Sequence, residues 1–175
     1  MTIVIREGFK AGTRTIGFIL IGCGMMYGAT ACTPEPKAIL AVERSAAGAP
    51  RLLVAPCSGY RARSLSVFHD GNSDHSNSWR LFSVGGSKSI DAVDFLVTPP
   101  GWEVDESTLP ELRESEKYTA KIDGSIKGKG LDGRISFTLE DLQSLGDGEV
   151  LAGAWDTRVV SRADFLKGGS KQCKP

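Results

Sequence analysis

The sequence predicts a mainly β domain, an antiparallel β-sandwich or small barrel with one or two short helices near the C-terminus. Three observations lead there. Residues 118–122 alternate strictly, with Tyr118, Ala120 and Ile122 on one side and Thr119 and Lys121 on the other, the period of a strand with one wet face. Short apolar runs recur along residues 38–160 between Gly, Pro and Ser breaks, the spacing of a many-stranded antiparallel fold. Only two short stretches, after Thr138 and after Ser161, shift to a helical period.

Taken in order, residues 38–43 and 51–56 are apolar runs separated by Gly48 and Pro50, which predicts a hairpin. Residues 61–70 alternate around Leu65 and Val67, and residues 71–77 form a polar loop. In residues 78–84, Trp79 and Leu81 share one face while Phe82 and Val84 share the other. Gly85, Gly86 and Ser87 break the chain before a strand over 92–98, which Pro99, Pro100 and Gly101 close. Residues 103–117 hold six acids against two bases and read as a solvated loop. After the strand at 118–122, residues 124–133 read as a Gly- and Lys-rich loop, and 134–138 resume the sheet with Ile135 and Phe137 inward.

Thr138 and Asp141 have the spacing of a capping box, followed by a stripe of Leu139, Leu142 and Leu145 that Gly146 ends. Residues 149–152 and 157–160 are short strands. Ser161 and Asp164 suggest a second capping box opening a helical turn with Phe165 and Leu166. Trp79, Trp102 and Trp155 are expected in the core or at its edge.

Residues 112–122 resemble the tyrosine-corner stretch of fibronectin-type-III and immunoglobulin-like domains. That resemblance implies that the Tyr118 hydroxyl bonds back to the chain upstream as a strand begins. The helix after Thr138 departs from the family pattern.

The first residues read as an address. Residues 1–14 carry Arg6, Lys10 and Arg14, and residues 15–31 carry no charge. A positive start, an apolar run and then small residues make the layout of a secretory signal peptide. Leu20-Ile21-Gly22-Cys23 and Ala29-Thr30-Ala31-Cys32 both resemble the lipobox of bacterial lipoproteins. Cys23 leaves a short apolar run; Cys32 leaves a full one. The resemblance implies acylation, with chains such as palmitate, at Cys32 or alternatively at Cys23. Ala29-Thr30-Ala31 also fits an ordinary A-x-A cleavage that releases a soluble protein. The run from Thr15 to Cys32, 18 residues, also stands at the short edge for an uncleaved membrane anchor. A buried helix of a cytosolic protein is a further reading. The expected organisation is a signal over 1–31, a proline-bearing tether over 32–37 and one extracytoplasmic domain over 38–175.

Cysteine parity bears on the choice. With Cys32 acylated, Cys23 leaves with the signal, and Cys57 and Cys173 remain as a pair. With Cys23 acylated, one of three remaining cysteines is orphaned. A disulfide between Cys57 and Cys173 is therefore expected, in a compartment where disulfides persist.

Chemistry is sparse. Asp70, Asn72 and Asp74 have the spacing that opens a calcium loop, but His75 stands where Gly belongs and Leu81 where the bidentate Glu belongs. No C-x-x-C pair and no G-x-S-x-G elbow exist, and His69 and His75 share one loop. No metal or other cofactor is expected. The 21 basic and 21 acidic residues balance overall, and the part after residue 31 is net negative, unlike a nucleic-acid binder. Residues 126–134, with Lys127, Lys129 and Arg134, form a basic stretch able to face anionic lipid heads or wall polymers. The expected role is a non-enzymatic binding or structural module, lipid-anchored at the extracytoplasmic face of the cell membrane. Its expected partners are the membrane itself, an envelope polymer or a membrane protein. An envelope enzyme and an accessory subunit of a membrane complex are the alternatives.

Overall fold

A computed structural model describes residues 36–70 and 77–174. They form two five-stranded antiparallel sheets packed face to face, a β-sandwich, with two short helices near the C-terminus. Among the described residues no helix is long and apolar enough to cross a membrane.

Strands β1 (Leu40–Arg44) and β2 (Pro50–Val54) form the predicted hairpin, with Leu40 opposite Val54 and Arg44 opposite Pro50. Gly48, at φ 81°, takes the left-handed position that the turn needs. Four successive residues, Ile39, Leu40, Ala41 and Val42, are fully buried, so β1 is covered on both faces. With β5 (Ala92–Asp94), β9 (Glu149–Ala152) and β10 (Arg158–Ser161), these strands make one sheet in the order β10-β9-β1-β2-β5. Strand β5 covers only three of the seven residues expected there. The chain turns out of the sheet at Phe95 and takes a left-handed conformation at Leu96, φ 62°.

The second sheet has the order β6-β4-β3-β7-β8. Strand β3 (Tyr60–His69) pairs with β4 (Ser78–Ser83) on one side and β7 (Tyr118–Ile126) on the other. Trp79 and Leu81 of β4 are buried, whereas Phe82 is exposed, as their alternation predicts. Strand β7 is the alternating stretch, but it runs on to Ile126 and pairs throughout with β8 (Lys129–Phe137). The expected Gly- and Lys-rich loop is thus reduced to two residues. Lys127 and Gly128 both have positive φ, 51° and 80°, which fits the type I′ turn favoured in tight hairpins. Arg134 lies inside β8, not in the basic turn.

Strand β6 (Trp102–Ser107) replaces the first part of the expected acidic loop. It is an edge strand, paired only with β4, and it carries Glu103, Asp105 and Glu106. Charges on a sheet edge discourage pairing with another chain.

One buried core joins Leu65, Val67, Ala120, Ile122 and Ile135 of this second sheet with Val42, Leu52 and Val150 of the other. Phe95, just past the end of β5, stacks on Phe137 of β8, ring centroids 5.1 Å apart. Trp79 and Trp102 are buried; Trp155 is not, with 60% of its surface exposed, over the Arg134 guanidinium at 5.1 Å. The core-edge expectation therefore fails for Trp155, which sits in the β9–β10 connection and takes a cation–π contact instead.

Helix α1 (Leu139–Gln143) has both arms of the capping box: Asp141 N–H donates to Thr138 Oγ1, and Thr138 N–H donates to Asp141 Oδ2. It ends at Ser144, two residues before Gly146, whose N–H donates to the Glu149 carboxylate. Helix α2 (Arg162–Gly169) has only one arm of the second box. Ser161 Oγ accepts from Asp164 N–H, but the Asp164 carboxylate accepts from the Ser161 hydroxyl rather than from its backbone.

Candidate functional site

The sandwich has two unlike ends, and one of them is built around a disulfide. Strand β2 exits through Ala55 and Pro56 to Cys57, where two backbone bonds tighten the chain: Cys57 N–H to Ala55 O and Tyr60 N–H to Cys57 O. Gly59, at φ 78°, completes the turn into β3. Helix α2 starts at the opposite end, where Arg162 pairs with Glu43, and runs back along the sheet. Its last turn lies against Ala55 so closely that a Cβ on Gly169 would stand 2.5 Å from the Ala55 Cβ. That close approach carries Cys173 to Cys57, with Cα atoms 5.4 Å apart, and the two form the expected disulfide.

The β7–β8 turn comes to the same end, because Ile126 pairs with Tyr60. A shallow groove of about 560 Å³ lies between that turn and the C-terminal segment. Pro56 and Ile126 give it an apolar floor, and Lys127, Lys129 and Lys174 stand on its walls. Three separate stretches meet here: residues 55–61, 124–131 and 167–174. Together they hold Arg61, Lys127, Lys129, Lys167, Lys171 and Lys174, all exposed, and no acidic residue.

The chain itself enters beside the middle of β8. Lys37 forms a parallel bridge with Gly133, and its N–H donates to Asp132 O at 2.8 Å. A segment running parallel to β8 places Pro36 back toward Lys129, the start of that strand.

The other end is acidic. The segment before Tyr118 carries Glu111, Glu114 and Glu116, and the α1 region carries Glu140, Asp141, Asp147 and Glu149. Tyr118 anchors this end: its hydroxyl accepts from Arg113 N–H at 2.7 Å and donates to Glu116 at 2.7 Å. Burial pushes the Tyr118 phenol above its ordinary pKa. A groove of about 450 Å³ at this end holds the Glu43–Arg162 pair, 3.0 Å apart. Glu43 is only 8% exposed, so its carboxylate depends on that guanidinium.

Of the calcium-loop candidates, Asp70 is described, and Asn72, Asp74 and the neighbouring His75 lie outside the described residues. Asp70 is engaged by the fold: it accepts from Thr119 Oγ1 at 3.0 Å and lies 3.8 Å from both Arg134 and Lys117. Among the described residues no cluster of three or more His, Cys, Asp or Glu side chains is placed to hold a metal ion. His69 faces Glu116 at 4.0 Å and meets the Tyr118 ring edge-on. Cys23 and Cys32 also lie outside the described residues.

The sequence pointed to Lys127 and Lys129 but not to the rest of the basic end. Arg61, Lys171 and Lys174 are brought there by β3 and by the disulfide. The readable signal was the absence of acids from all three stretches, which has meaning only once they are known to meet. No protein-family model, curated protein or solved structure matches this chain.

Proposed function

We propose that the chain is a cell-envelope lipoprotein, acylated at Cys32 and held at the extracytoplasmic face of a membrane, whose β-sandwich acts as a non-enzymatic binding or structural module. The disulfide carries this reading. Bonds of this kind persist in oxidising compartments and are rare in the cytosol. Cys57 and Cys173 satisfy one another, so neither needs Cys32, which is left for acylation. The positive, then apolar, then small-residue pattern of residues 1–31 supports export. Two acyl signals on one cysteine give stable anchoring where a single chain does not. The module reading draws support from the engagement of Asp70 with Thr119, Arg134 and Lys117, which leaves it tied into the sheet.

The test is mass spectrometry of the mature protein isolated from membranes, beside a Cys32→Ser variant. The expected N-terminus is Cys32 with a diacylglyceryl group and an N-acyl chain, absent in the variant. An unmodified N-terminus after Ala31 would refute lipidation. Acylation of Cys23 would move the anchor and leave Cys32 in the mature chain.

A further inference from the structure

We infer that the basic end of the sandwich is a seat for anionic phospholipid headgroups, so that the domain stands on the membrane with its acidic end outward. This rests on the lipoprotein reading, which brings a membrane within reach, and adds to it the face that touches.

Charge is the first argument. Six exposed cations and no acid occupy residues 55–61, 124–131 and 167–174, with Asp123 and Asp132 facing one another just inside the ladder, in a chain whose part after residue 31 is net negative. None of Lys127, Lys129, Lys171 and Lys174 takes part in an ion pair among the described residues. Within the described part of the domain no carboxylate competes for these charges. Lysine suits a headgroup phosphate as a mobile point charge on a flexible stem.

Shape is the second. The groove between the β7–β8 turn and the C-terminal segment is open and shallow, with an apolar floor and lysines on its walls. A headgroup phosphate can rest on that rim above Pro56 and Ile126.

Chain path is the third, and it selects lipid over other polyanions. Pro36 is directed toward Lys129. Four chain steps, across Thr33, Pro34 and Glu35, lead from Cys32 to Pro36, a reach of at most about 14 Å when fully extended. Strand β7 alone, nine residues, spans about 30 Å from the acidic end to the basic end. Gly133, where Lys37 pairs, is the midpoint of β8, so reach alone favours neither end; the parallel direction of the chain at Lys37 is what turns an anchor at Cys32 toward the basic end.

The experiment uses the full-length protein in two vesicle types, phosphatidylcholine alone and phosphatidylcholine with phosphatidylglycerol. Exposed amines are acetylated and each lysine is followed by peptide mass spectrometry. Lys127, Lys129 and Lys174 are expected to react about fivefold more slowly on the anionic vesicles, given the attraction of each basic residue to such a surface. High salt should remove the difference. Lys117, at the acidic end, should react equally on both. A Lys127→Glu/Lys129→Glu/Lys174→Glu variant should lose the dependence on lipid charge at Lys171.

Equal rates on the two vesicle types would overturn the proposal, as would slowing of Lys117 to the same degree. Stronger protection by a soluble anionic polymer than by anionic vesicles would also overturn it, in favour of a wall polymer. Should the variant fail to fold, the salt dependence of the unaltered protein still decides. An unacylated N-terminus would end the lipoprotein reading and leave the amine pattern as it is. An acylated protein with equal rates would end this proposal alone.

Discussion

The Tyr118 hydroxyl takes the backbone N–H of Arg113, five residues upstream, at 2.7 Å. The ring is fully buried between the sheets, and the hydroxyl is the one polar atom that side chain brings with it. Its two hydrogen bonds fix where the acidic segment ends and β7 begins. Tyr118→Phe keeps the ring and orphans the Arg113 N–H. The expected loss is about 1–2 kcal/mol, read as a lower urea midpoint at unchanged slope. An unchanged midpoint would mean that solvent satisfies the N–H as well as the phenol does.

Reduction of the Cys57–Cys173 bridge should destabilise the domain strongly. The cysteines are 116 residues apart in sequence. In the chain-entropy picture, closing so long a loop contributes about 5 kcal/mol. For a domain of this size that corresponds to a fall in Tm of roughly 15 °C. Calorimetry with and without reductant checks it, with a Cys57→Ser/Cys173→Ser variant as the reagent-free comparison.

Gly169→Ala separates helix propensity from packing. Gly169 ends a helix with ordinary helical φ, so propensity alone favours alanine by about 1 kcal/mol. The new Cβ would stand 2.5 Å from the Ala55 Cβ, which has no flexible end to give way. Overpacking of this kind costs about 1–3 kcal/mol. The variant should be less stable, and it should re-form less of the disulfide on refolding. Thiol titration after oxidative refolding measures the second effect.

Asp132 and Asp123 face one another across the β7–β8 ladder. Burial raises the Asp132 pKa, and the Asp123 charge raises it further. A folded-state pKa above the unfolded one means that the folded protein holds this proton more tightly. This carboxylate therefore costs stability at neutral pH, and the cost fades as pH falls through its folded pKa. Asp132→Asn should stabilise the protein at neutral pH by about 0.5 kcal/mol, the scale of one like-charge cross-strand pair. The gain should shrink toward zero in acid, as urea melts at the two pH values would show.

The parts of the fold with strong local signals were legible. Strand β7 declared itself by alternation, α1 by its capping box, the β1–β2 hairpin by its breaks, and the disulfide by parity. Strand β6 was hidden because an edge strand is wet on more than one side: Glu103, Asp105 and Glu106 carry no inward–outward period, and their acidity imitates a loop. Glycines concealed the extension of β7 and β8. Gly124, Gly130 and Gly133 lower strand propensity, yet Gly133 is needed, since a Cβ there would stand 2.7 Å from Ile39 Cγ1. The basic end was half legible. Two of its lysines lie in one turn, while the others depend on a tertiary closure that no local pattern reports.

The placement of β1 has a mechanical consequence. The chain comes in through Lys37 directly into β1, which is flanked on both sides by antiparallel partners, β2 and β9. A pull applied at Lys37 therefore acts along the strand and strains its ladder bonds together, in shear, rather than unzipping them singly. Force entering there would be borne by a strand buried on both faces. The sandwich is thus clamped at the point where force enters it.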